Sequence, residues 1–122
     1  MVSHESALVH HGLSELLPDR LHFTVPPKFR KLPPAGCVLH KGTLGPKDAE
    51  ERAGFRVTTP LRTLLDVAAG GVSREQFDKA VADALARGLV RRTQLDAALK
   101  RLPALERLRK VVNARGRSKA TA

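Results

Sequence analysis

Phe55-Arg56-Val57-Thr58-Thr59-Pro60-Leu61-Arg62-Thr63-Leu64-Leu65-Asp66-Val67-Ala68 runs from a short β-branched stretch straight into a helical pattern, and that junction decides the fold. Thr59 suits an N-cap, where a side-chain oxygen accepts from a free backbone N–H. Pro60 suits the first helical position, where the missing N–H has no partner to lose. Leu61, Leu64, Leu65 and Ala68 then recur at helical spacing and form one stripe that must be buried. Arg62 and Asp66 share a flank of that helix and are spaced to pair, but a cation in the first turn opposes the macrodipole. Such an Arg calls for a carboxylate from elsewhere, with Glu5 as a candidate, or for a ligand.

Upstream, Ser3 is placed to cap a short helix through Ala7, Leu8 and Val9, closed by Gly12 as its left-handed residue. Ser14 is placed to cap a single turn through Leu17 that Pro18 ends. Arg20-Leu21-His22-Phe23-Thr24-Val25 alternates strictly, which predicts a half-buried strand with Leu21, Phe23 and Val25 inward and His22 and Thr24 outward. Lys28, Arg30 and Lys31 lie in a basic loop between two Pro-Pro pairs. Cys37 to Lys41 reads as a second strand and Phe55 to Thr58 as a third, with room for an unplaced edge strand. Asp48 to Arg52 is too short to assign as helix.

Downstream of Gly70-Gly71 the pattern is helical. Ser73 with Gln76 forms a capping box, Phe77, Ala80, Val81, Ala84 and Leu85 form the stripe, and Gly88 ends it. Thr93 with Asp96 suggests the next cap, ahead of Leu95, Ala98, Leu99 and Leu102. Pro103 opens a last helix with Leu105, Leu108, Val111 and Val112 inward. The fold class is therefore α+β: a small mixed or antiparallel sheet of three to four short strands, packed by four to five helices mainly from the second half. The expected organisation is one domain over residues 1–112 and a disordered basic tail over 113–122.

Composition narrows the function. The 122 residues hold 22 Lys and Arg against 12 Asp and Glu, a formal charge of +10 that suits a polyanion partner. Four Phe with no Trp or Tyr weigh against base-stacking recognition of single strands. One cysteine, Cys37, excludes an internal disulfide and suits a reducing cytoplasm. No apolar run reaches membrane-span length. His4, His10, His11, His22 and His40 show none of the tight paired spacings of metal sites, and no catalytic or phosphate-binding signature occurs, so no metal, cofactor or enzymatic role is expected. His10 and His11 fall near a helix end, where a cation suits the dipole. Candidate phosphate contacts are Arg91, Arg92, Arg107, Arg109, Lys110, Arg115 and Arg117, which would give salt-dependent, sequence-blind affinity. The stretch from Ser73 to Leu102 is described as well by a plain αα-hairpin as by a helix-turn-helix.

Taken together, Ser3-His4-Glu5-Ser6-Ala7-Leu8, His11-Gly12-Leu13, the strand ending Thr24-Val25-Pro26, and Val57 to Asp66 resemble the domain that follows the DNA-binding region in the AbiEi family. The resemblance spans Ser3 to about Leu102 and rests on Ser3, His4, Ser6, His11, Gly12, Thr59, Pro60, Arg62 and Asp66. It implies an antitoxin and transcriptional regulator of a type IV toxin–antitoxin, abortive-infection system, whose partner is a nucleotidyltransferase-type toxin. Longer relatives carry an N-terminal winged helix-turn-helix, and the chain is expected to start after it. Related architectures continue into a Vsr-like endonuclease domain, whose acidic motif is not found here. A small nonspecific DNA-binding protein and a decayed fragment of a longer regulator remain the alternatives, and no pattern fixes the oligomeric state.

Overall fold

In a computed structural model, residues 1–14, 19–52, 54–70, 72–101 and 110 are described. The expected turn through Leu17, the helix opened by Pro103 and the basic tail lie wholly or largely outside them. The described order is α1 (His4–His10), β1 (Leu21–Val25), β2 (Cys37–Lys41), a 3-10 turn (Pro46–Asp48), β3 (Ala49–Arg52), β4 (Phe55–Thr58), α2 (Pro60–Ala68), α3 (Arg74–Ala86) and α4 (Arg92–Arg101). The fold is α+β, with two two-stranded ladders.

The ladders are parallel β1–β2, with Leu21 opposite Cys37, and antiparallel β3–β4, with Ala49 opposite Thr58. Val2 joins them, bridging antiparallel to Phe23 and parallel to Val57. Its N–H donates to the Arg56 carbonyl at 2.9 Å, and its own carbonyl accepts from the Thr58 N–H at 2.9 Å. On the other side, the Ser3 N–H donates to the His22 carbonyl at 3.1 Å and the Thr24 N–H to the Met1 carbonyl at 2.8 Å. The lanes thus run β2, β1, Val2, β4, β3.

The helix boundaries follow from the caps. Thr59 accepts from the Arg62 N–H with Pro60 at the first helical position, and Ser73 and Gln76 close a reciprocal box. Gly12 and Gly88, at φ +71° and +73°, end α1 and α3 in the left-handed region that a Cβ disfavours. Two assignments change. The Arg91 N–H, not Thr93, is capped, donating to Gln94 Oε1 at 2.8 Å, so α4 starts at Arg92. Ala49–Arg52 is the edge strand, although it lacks β-branched residues, because Gly54 (φ +82°) turns the chain back and β4 supplies the partner. Its charges suit an edge.

The core is helical: Leu8, Leu13, Leu64, Val67, Phe77, Val81 and Leu95 form one buried cluster with the alanines between them. The sheet was expected to turn its apolar face inward against α2 and α3. Instead α1 lies on it, α2 packs on α1, and α3 packs on α2. The covered face of β1 is the polar one: Thr24 is 6% exposed and Leu21 55%. Burying hydroxyls and imidazoles costs little when each is hydrogen-bonded, and here they are.

Candidate functional site

The covered polar face gathers the motif residues. Thr24 Oγ1 donates to Ser3 Oγ at 2.7 Å, and His4 Nδ1 lies 2.9 Å from the same Ser3 oxygen. Ser3 therefore marks the N-terminal boundary of α1 without a side-chain cap, its hydroxyl being committed to the sheet. Ser6 Oγ accepts the His22 N–H at 2.8 Å, tying α1 to β1.

Three imidazoles meet between α1 and the strands. His22 Nε2 lies 2.8 Å from Glu5 Oε2, and His22 Nδ1 lies 2.9 Å from His40 Nε2. With Glu5 ionised, the consistent neutral arrangement has His22 Nε2–H donating to Glu5 and His40 Nε2–H donating to His22 Nδ1. His4 stacks on His40 with centroids 3.6 Å apart and planes 10° apart. Glu5, offered as a partner for Arg62, is thus held by His22 instead.

Beyond His4 stands the α2 pair. Arg62 Nε donates to Asp66 Oδ1 at 3.0 Å, and the Arg62 guanidinium also reaches Asp48 Oδ2 at 3.8 Å. The carboxylate from elsewhere that the first-turn Arg calls for is therefore Asp48, at the end of the 3-10 turn. Asp66 Oδ2 is buried with no hydrogen-bond partner among the described residues, and points toward His4 Nδ1 at 4.0 Å. Burial pushes the Asp66 carboxyl up to about 6, against the pull of Arg62. Burial, then the charges of His40, His22 and Arg62, push His4 down to about 4, so its approach to Asp66 is that of a neutral ring, not an ion pair. His40 is lowered by burial and His22, with Glu5 opposing.

A second buried contact extends this network to the core. His11 Nε2–H donates to the Thr58 carbonyl at 2.7 Å, and Thr58 and Thr63 hydroxyls meet at 2.7 Å. Burial lowers the His11 pKa, so His11 is a neutral donor and not the dipole-compensating cation expected from its place near a helix end. Arg87 does that work: its guanidinium donates to the His11 and Gly12 carbonyls at 3.0 and 3.4 Å. Arg91 is exposed, Arg92 is half-buried in the first turn of α4, and Lys110 is exposed. Arg107, Arg109, Arg115 and Arg117 lie outside the described residues.

The opposite face of the sheet borders a cavity of about 560 Å³ lined by Phe23, Val25, Pro26, Leu44, Phe55 and Arg56 among others. Among the described residues, no group of three or more His, Cys, Asp or Glu side chains is arranged to hold a metal ion. No described helix is long and apolar enough to cross a membrane. His22 and His40 are the residues the motif reading missed, and Thr24 and Thr58 lie within its stretches without being singled out. The signal was present in β1 and β2, since equal strand parity and parallel register put His22 and Thr24 on one face with His40.

Fold and array together define a small α+β domain whose motif residues are tied to one another and to its own backbone. The chain belongs to the AbiEi antitoxin C-terminal domain family, which it matches over residues 1–121. No curated protein is similar enough to count as a match.

Proposed function

We propose that the chain is the toxin-countering domain of a type IV, abortive-infection antitoxin, acting against a nucleotidyltransferase-type toxin. The observation that carries this reading is the family match over residues 1–121, a span that includes both the Ser3 and the Thr59 motifs. In this reading Ser3, His4, Ser6, His11, Gly12, Thr59, Pro60, Arg62 and Asp66 hold the fold and are not an active site. The ties among them support that role: Arg62 meets two carboxylates, and the Ser3 and Ser6 hydroxyls are both engaged. The test is co-expression with a nucleotidyltransferase-type toxin of such a system. Growth restored by residues 1–122 supports the reading, and undiminished toxicity at equal expression overturns it.

The charge of +10 favours a second activity, weak and sequence-blind binding of DNA. Arg91, Arg92 and Lys110, with Arg107, Arg109, Arg115 and Arg117, would neutralise phosphates without reading bases. Affinity should then collapse between about 50 and about 200 mM salt, and deletion of residues 113–122 should weaken it further. Promoter preference above roughly a thousandfold would instead mark a sequence-specific repressor.

A further inference from the structure

The joint between the Val2 lane and α1 is His4, whose φ of +49° is the one left-handed backbone among described non-glycine residues. Histidine enters that region with less penalty than most residues, but it stays there only when its surroundings hold it. Here the hold is the side chain. His4 Nδ1 meets Ser3 Oγ, its ring lies flat on His40, and its edge approaches Asp66. One to three residues earlier, the backbone of Ser3, Val2 and Met1 carries the bonds that join the two ladders.

We propose that the Glu5–His22–His40–His4–Asp66 array is an acid-sensitive latch: protons taken up by the imidazoles expel His4 from the stack and release the Val2 lane from β1 and β4. The neutral rings satisfy each other in one direction only, toward Glu5. A proton added at His22 Nδ1 confronts the His40 N–H at 2.9 Å, and a proton added to His40 places an imidazolium against a ring 3.6 Å away. A second proton, on His4 above a charged His40, would set two imidazolium rings at that spacing, and like charges so close and half out of water cannot both persist.

The groups facing the stack make the response cooperative. From α1 come His4 and Glu5, from β1 His22, from β2 His40, and from α2 Asp66 and Arg62, with Asp48 behind Arg62. Arg62 already weighs against a charged His4. Asp66 is the carboxylate nearest His4, and its raised pKa means that acid neutralises it as the rings gain charge. Among the described residues, Glu5, on the far side, is left as the only compensating carboxylate in direct contact with a ring.

Amide hydrogen exchange on the full chain tests this, with rates corrected for intrinsic pH dependence. From about pH 7.5 to about pH 4, protection at Ser3, Thr24 and Thr58, whose N–H groups bond along the Val2 lane, should fall at least about tenfold more than at Val81 in the helical core. His40→Phe keeps a flat ring under His4 without a titrating group, and should cut that difference to less than about twofold. Equal loss at all four amides, no loss at all, or a His40→Phe protein as acid-labile as the wild type overturns the latch. If His40→Phe does not fold, the wild-type NMR titration decides: lane opening must share its midpoint with the His4 or His40 ring, and a separate midpoint overturns it.

Discussion

The Thr24 hydroxyl donates to Ser3 Oγ at 2.7 Å, and both residues are buried, so a strand and the start of the first helix are joined through two side chains rather than through a cap. Removing one member strands the other. Thr24→Val and Ser3→Ala should each cost about 1 to 3 kcal/mol, the penalty of an unsatisfied buried polar group. The double variant should cost less than the sum by about 0.5 kcal/mol or more. Urea unfolding of the four proteins measures this, and strict additivity would show that the contact carries no coupling.

Two leucines at formally similar sites should behave oppositely. Leu64 is fully buried in the helical cluster, and Leu64→Ala should cost about 2 to 5 kcal/mol. Leu21 stands at the start of β1, 55% exposed, and Leu21→Ala should cost below about 1 kcal/mol. Equal losses in thermal or urea unfolding would return the apolar face of β1 to the core.

Asp66 gives a signed pH dependence. Its folded pKa, about 6, lies above the ordinary 3.8, so the folded state holds a proton that the unfolded chain has lost. Its contribution is full below about pH 4 and is lost as pH rises through about 6. Asp66→Asn removes this slope. The stability of wild type relative to Asp66→Asn should therefore fall with rising pH across that window, by on the order of 2 kcal/mol. His4, lowered to about 4, works the other way, its contribution present above about 6.5 and lost as pH falls through 4. A wild-type-to-Asn difference that grows with pH would refute the assignment.

Gly12 and Gly88 share a left-handed backbone but not surroundings. A Cβ at Gly88 meets nothing within 4 Å, whereas one at Gly12 meets the Arg87 guanidinium at 3.4 Å. Gly88→Ala should cost about 1 to 2 kcal/mol from backbone strain alone. Gly12→Ala should cost more, because Arg87 must also shift from the carbonyls of His11 and Gly12. A smaller loss at Gly12 in thermal unfolding would mean that Arg87 contributes little.

Local chemistry made the helices legible. Thr59-Pro60, Ser73 with Gln76, and Gly88 each encode a boundary within a few residues, and the spacing of Arg62 and Asp66 already implied their pairing. The sheet was less legible because its information is not local. Alternation along Leu21 to Val25 says that two faces differ, but not which one is covered. The polar face won because Ser3, Ser6, Glu5 and His40 arrive from elsewhere to satisfy it. Ala49–Arg52 carries no strand signature of its own and is ordered by β4. The array was hidden for the same reason: its histidines stand far apart in sequence, and only strand register and the α1 contact bring them together.

The position of Val2 has a consequence for the order of assembly. During synthesis Val2 emerges before both neighbours of its lane, which do not exist until Thr24 and then Thr58 have followed. Closing that span of chain carries a loop entropy that no early contact repays. The helical cluster draws mainly on residues made later and does not require the lane. A ribosome-bound chain halted before Thr58 would therefore leave Val2 without its β4 partner.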